Sequence, residues 1–178
     1  MNNFPIPKRE DVTPANQKIY DQLAHMIGNV PNLFAVLAHS EYALSNYLNF
    51  QKAKSSLSAK EREVINLVVS QYNQCTYCLA AHTAIAKLNG YTDAQVIEIR
   101  KAAISFDFRL DALARLVKSI MANKGCAEQA YITAFYKVGF DHGSLVDVVL
   151  AIGDKIISNY LHALTEVPVD WPAAPVLT

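Results

Sequence analysis

Two capping signatures and a series of stop residues narrow what this chain can fold into. Ser58 is followed three residues on by Glu61, and Thr92 by Gln95. Both pairs have the spacing at which each side chain answers the other residue's backbone N–H at a helix start. Thr13 before Pro14 adds an N-cap with proline at the first helical position. Gly28, Gly90 and Gly125 stand where a left-handed residue closes a helix. Between these marks apolar residues recur at helical spacing, and no stretch alternates in a way that demands a sheet. The expected helices cover 14–27, 32–53 in two pieces parted near Ser40, 58–72, 75–89, 92–101, 107–123, 127–138 and 143–164. Pro168, Pro172 and Pro175 leave 168–178 as an extended strap. The expected class is an all-α helical bundle.

The chain has 178 residues, 52% of them hydrophobic, which suits one domain over 1–178 with a core that needs no disulfide staples. Lys plus Arg and Asp plus Glu are equal at 16 each, so no net field draws nucleic acid or an anionic membrane surface. Charged residues make up 18%, against about a quarter in an ordinary soluble domain. That shortage of polar cover predicts a homo-oligomer. Asp147, Asp154 and Lys155 interrupt the most apolar region, which excludes a membrane span. The prolines and charges of MNNFPIPKREDV do not make a signal peptide, and the expected location is the cytoplasm. Three cysteines are too few for a secreted disulfide framework.

One internal repeat stands out. Gly90 to Ile99 aligns without gaps on Gly139 to Val148, 49 residues later, which predicts a duplicated helical hairpin about a Gly-aromatic turn. At that offset Cys75, Cys78 and His82 fall on Lys124, Ala127 and Tyr131. The hairpin therefore does not itself require the two thiols and the imidazole.

Those three residues carry the chemistry. On a helix Cys75, Cys78 and His82 stand at roughly 0°, 300° and 340°, within one narrow stripe. The thiols lie at a helix start, where free N–H groups and the helix dipole favour a thiolate. His82, one turn further, is placed to take a proton from Cys78 or to stabilise its anion. Glu63 is twelve residues upstream of Cys75, a rise of about 18 Å on a straight helix. A reversal near Tyr72 to Gln74 would bring it back to orient His82. Thiolate, base and orienting carboxylate suit peroxide reduction, in which one sulfur becomes a sulfenic acid and the second condenses with it.

Three other readings fit the same residues. The cysteines pack as plain core, or with His82 they hold a structural zinc whose fourth ligand comes from Cys126, Glu63 or another chain of a non-catalytic helical oligomer. In the third, Glu63 and His82 do acid–base chemistry on a small carbonyl compound. Cys126 reads as a lone packed thiol, and His25, His39, His142 and His162 as capping or packing residues.

Glu63, eleven intervening residues, Cys75-Thr76-Tyr77-Cys78, three more and His82 resemble the core motif, over 58–101, of the alkylhydroperoxidase D and carboxymuconolactone decarboxylase superfamily. Val30 to Ser40 and Ser158 to Asp170 resemble the flanks of its peroxidase-related branch. The resemblance implies an all-helical fold assembled as trimers or hexamers. It implies no bound cofactor, a hydroperoxide substrate and electrons from an external dithiol such as dihydrolipoamide or a reductase system. Carried over by position, Cys78 is the attacking thiol, Cys75 the resolving thiol, and Glu63 with His82 the proton relay. Helix-end electrostatics alone favour Cys75 as the more acidic thiol. Tyr77 stands where the best-known alkylhydroperoxidase D has a further relay histidine, and a phenol is a poor base near neutral pH. The decarboxylase branch works without the cysteine pair, so the presence of both cysteines points away from a lactone decarboxylase.

Overall fold

In the computed structural model, which describes residues 4–177, a short 3-10 turn at Arg9–Asp11 precedes the α-helices. These are α1 (Pro14–Ile27), α2 (Asn32–Leu37), α3 (Ala43–Gln51), α4 (Ala59–Tyr72), α5 (Thr76–Leu88), α6 (Asp93–Lys101), α7 (Phe108–Ala122), α8 (Gln129–Lys137) and α9 (His142–Thr165). No strand occurs among the described residues, and none of these helices is long and apolar enough to cross a membrane. The chain divides into two compact units. One joins the residues up to Lys54 with Tyr160–Asp170, and the other joins Ser55–Asn159 with the tail from Trp171.

In the first unit Thr13 caps α1 by accepting the Asn16 N–H, and Gly28 closes it at φ 87°. Tyr20, Leu23, Ala35, Leu44 and Leu48 form its core. The expected break near Ser40 has a physical cause in Asn16, which is fully buried. Its amide donates to the carbonyls of Ala38 and Ser40, at 3.2 and 3.1 Å, and so satisfies backbone groups that a continuous helix would have paired internally. Asn32 ties the tail down by donating its N–H to Asp170 and its side-chain amide to the Pro168 carbonyl.

In the second unit α4 packs against α5, α6 and α7. Both expected capping boxes are formed, Ser58 with Glu61 and Thr92 with Gln95. Helix α4 is buried all round: Val64, Ile65, Leu67, Val69 and Ser70 are fully covered, Glu63 and Asn66 nearly so, and Glu61 is buried in the capping box. Three polar groups in such a helix need partners from its neighbours.

The repeat extends further than the ten residues that align in sequence. Helices α4, α5 and α6 recur as α7, α8 and the start of α9 at the same offset of 49. Ser58 and Asp107 are the matching N-caps. The buried positions Val64, Ile65, Leu67, Val68 and Ser70 match the buried Leu113, Ala114, Leu116, Val117 and Ser119. Gly90 and Gly139 turn the chain at φ 88° and 93°, a region that only glycine enters without cost. The aromatic that follows each, Tyr91 or Phe140, is buried. Thr92 and Asp141 then cap the next helix through the N–H groups of Gln95 and Ser144. Unlike α6, α9 continues well past the end of the repeat.

Phe135 is fully buried and stacks on Phe140, with ring centroids 4.3 Å apart and planes 2° from parallel. Phe135→Ala leaves a ring-sized cavity at the second turn of the repeat. We expect it to lower the unfolding free energy by about 3–5 kcal/mol, measured by urea denaturation followed by circular dichroism.

Candidate active site

The turn between α4 and α5 does what the sequence requires of it. Gln74 takes a left-handed φ of 55°, the Cys75 N–H donates back to the Ser70 carbonyl at 3.0 Å, and the chain reverses. Glu63 and His82 are thereby brought together: Glu63 Oε2 lies 2.9 Å from His82 Nδ1. Glu63 is 6% exposed and His82 8%, so the carboxylate is not an ordinary surface residue of its helix. Its other oxygen accepts from the Asn66 amide at 3.0 Å.

Cys75 is not inside α5. It is the N-cap, in extended backbone geometry, and its Sγ accepts the Cys78 N–H at 3.3 Å. The cap sulfur is thereby folded over the first turn of α5, against the Cys78 backbone. Both cysteines are free and buried, whereas Cys126, expected to be packed, is exposed. It sits between α7 and α8 in a loop whose residues 123–126 are all exposed, so no core reaches it. His39 bonds the Pro5 carbonyl, His142 the Tyr136 hydroxyl and His162 the Val167 carbonyl, which are packing and capping roles. Among the described residues no three His, Cys, Asp or Glu side chains are grouped to hold a metal ion.

The opposite wall of the site comes from α9 and was not anticipated. Lys155, 1% exposed, sets its Nζ 2.6 Å from His82 Nε2. One turn on, Ser158 Oγ lies 4.0 Å from Cys78 Sγ and donates to the Lys155 carbonyl. Asn159 is held by Ser70 and Asn73. Thus Lys155 and Ser158 on α9 run alongside His82 and Cys78 on α5, turn for turn. The sequence contained a signal for this: Lys155 and Asn159 continue the helical stripe of Val148 and Ile152, both buried. A polar run on an apolar stripe marks a buried polar cluster rather than a solvated face.

These contacts fix protonation states. With Glu63 at Nδ1 and the Lys155 ammonium at Nε2, the neutral imidazole carrying its proton on Nδ1 satisfies both neighbours. Burial, followed by the Lys155 charge, depresses the His82 pKa in keeping with that form. Burial pushes Glu63 up, but its contacts with His82, Lys155 and Asn66 outweigh this and leave it below the usual carboxylate range. Cys78 falls to about 7, chiefly through the hydrogen bond from Cys75; burial opposes, and Lys155, Asn159 and Ser158 assist. The same bond, then burial, raises the Cys75 thiol. Both shifts favour the proton on Cys75 and the anion on Cys78. Both ring nitrogens of His82, expected to take a proton from Cys78 or to stabilise its anion, are engaged, Nδ1 with Glu63 and Nε2 with Lys155.

The carboxymuconolactone decarboxylase family model matches residues 40–118, which include Glu63, Cys75, Cys78 and His82. Among solved structures, an uncharacterized peroxidase-related protein from Silicibacter sp. TM1040 superposes with a TM-score of 0.81 at 22% identity, over 93% of this chain and 89% of that one. An alkylhydroperoxidase AhpD core protein, an uncharacterized peroxidase-related protein from Ralstonia eutropha JMP134, gives 0.83 at 21% identity, over 94% and 92%. The debrominase Bmp8 gives 0.76 at 11%, over 94% and 91%. At these identities the likeness establishes the fold. No protein with curated annotation matches the sequence.

The thiolate state is directly measurable. We expect thiolate absorbance in the ultraviolet to rise with a midpoint near pH 7, assigned to Cys78 by its loss in Cys78→Ser. A lowered thiol pKa means the anion is present above that pH and lost below it. In Cys75→Ala, which removes the S–H donor, the midpoint should move upward by about one unit.

Proposed function

We propose that this chain, whose residues 40–118 match the carboxymuconolactone decarboxylase family model and whose fold is that of alkylhydroperoxidase D-like proteins, is a dithiol-dependent peroxidase. The observation that carries the reading is the pair of free, buried cysteines at the start of α5, with Cys75 as the cap whose Sγ accepts the Cys78 N–H; the Cys78 thiol is lowered to about 7 and Cys75 raised, in keeping with it. Nucleophilic attack needs a thiolate, and the resolving step needs a second thiol within reach, which the Cys75 cap supplies. The peroxidase-related description of the two structural relatives agrees with this chemistry.

The cycle runs as follows. Cys78 Sγ attacks the terminal oxygen of the hydroperoxide, the S–O bond forms, the O–O bond breaks, and the alcohol, or water in the case of hydrogen peroxide, leaves after taking up one proton. Cys75 Sγ then attacks the Cys78 sulfenic acid. The S–S bond forms, the S–O bond breaks, and the hydroxyl leaves as water with the Cys75 proton. Two electrons have passed from the thiols to the peroxide, and an external dithiol such as dihydrolipoamide restores them by exchange. Glu63 and Asn66 hold His82 in one orientation and one tautomer throughout. Assembly as a homotrimer or homohexamer belongs to the same reading, supported by the low charged fraction of 18% and by the exposed Val146, Val149, Leu150 and Ile157 on α9.

Steady-state consumption of hydrogen peroxide and of a small alkyl hydroperoxide, with dihydrolipoamide as reductant, tests this. Turnover should vanish in Cys78→Ser. Cys75→Ser should consume one equivalent of peroxide and stop at the sulfenic acid. Peroxide turnover unchanged in Cys78→Ser would overturn the reading.

A further inference from the structure

Breaking the peroxide O–O bond creates an alkoxide that needs a proton, and Cys78 enters the reaction without one. The groups that face it from each neighbouring element are few. On α4, Glu63 is ionised and only accepts. On α5, His82 commits its Nδ1 proton to Glu63 and has none on Nε2. Cys75, at the cap, needs its proton for the resolving step. On α9, Asp154 acts on His82 through its charge, and Lys155 remains. Lys155 carries three N–H bonds, gives one to His82 Nε2, and lies one turn from Ser158, the residue beside Cys78.

We propose, on the peroxidase reading above, that Lys155 is the proton donor of the peroxide step. As the S–O bond forms and the O–O bond breaks, an ammonium proton of Lys155 passes to the leaving oxygen, and the alcohol departs from a neutral amine. The direction of transfer follows from burial. Lys155 is 1% exposed, and the Cys78 thiolate offsets part of its charge. Attack turns that thiolate into a neutral sulfenic acid, so passing one ammonium proton to the leaving oxygen keeps the net charge of the buried site unchanged. The amine then accepts the proton of Cys75 as that sulfur attacks, and returns it to the departing hydroxide, giving water. Reduction of the disulfide by an external dithiol supplies two protons. One restores the Lys155 ammonium and the other the Cys75 thiol, with Cys78 released as thiolate, so charge and protons balance over the cycle.

Charge and proton exchange separate by substitution, because arginine keeps the cation and does not give up a proton. Lys155→Arg should keep the ultraviolet thiolate midpoint of wild type while dihydrolipoamide-driven peroxide turnover falls about a hundredfold, the usual weight of a general acid. Lys155→Met should raise the midpoint and lose turnover as well. A folded Lys155→Arg that turns over peroxide at the wild-type rate would overturn the proposal and leave the peroxidase reading intact. Failure of wild type to consume peroxide would instead remove the reading and the proposal together. Should the variants not fold, wild type decides. In a weakly buffered single turnover above pH 7 with a pH indicator, we expect thiol oxidation to proceed without simultaneous proton uptake. Uptake of one proton from solvent in step with oxidation would overturn the proposal.

Discussion

A lysine ammonium almost wholly removed from water, resting against a neutral imidazole, is the interaction on which the rest of the site depends. Neither group tolerates burial alone. Lys155 loses its hydration shell, and in exchange it has His82 Nε2 at 2.6 Å and, through that ring, the charge of Glu63. Glu63 in turn needs Asn66, four residues from the protected Ser70, which holds Asn159 beside the next turn of α9. This set accounts for three of the four buried polar residues of α4, Glu63, Asn66 and Ser70; the fourth, Glu61, belongs to the capping box. A helix whose whole circumference is apolar would pack as well. It would not fix one tautomer of His82 or leave a positive charge near Cys78.

The relation between the two cysteines follows from where α5 begins. Reading both as helical residues makes the one nearer the N-terminus the more acidic, since free N–H groups favour the anion. With helical φ and ψ beginning only at Thr76, that ranking reverses. As the cap, Cys75 already receives the Cys78 N–H on its sulfur and retains its own proton, which it directs at Cys78. Cys78 then collects the S–H donor, the Lys155 field and the polar groups of Ser158 and Asn159. A difference of a single residue in the start of a helix reverses the direction in which the two thiols shift.

Much of this was legible in the sequence, and what was not has definite causes. Local signals carried the helix limits: Thr13, Ser58 and Thr92 each cap through a backbone N–H within three residues. The spacing of Glu63, Cys75, Cys78 and His82 identified the half of the site built on α4 and α5. Lys155 escaped because its partner lies 73 residues earlier, and along the chain it reads as a charge that interrupts an apolar stretch. The fuller repeat is only partly written in residue identity: Leu67, Val68 and Ser70 recur as Leu116, Val117 and Ser119, while Val64 and Ile65 face Leu113 and Ala114. Burial is retained at all five of these positions and residue identity at three.

The repeat also explains why the second copy can lack the thiols without leaving the site incomplete. Lys124, Ala127 and Tyr131 stand where Cys75, Cys78 and His82 would fall, so α8 brings no nucleophile. Helix α9, however, runs beyond the length of its counterpart α6, and Lys155, Ser158 and Asn159 all lie on that extension. One copy therefore positions the sulfur chemistry at a helix start, where backbone N–H groups are free. The other supplies a cation from mid-helix, where the backbone is fully paired and only a side chain can bring charge. A symmetric pair of hairpins would place two like sites apart, each with a thiol pair and neither with a buried cation. The asymmetry in helix length brings the two halves of a single site together.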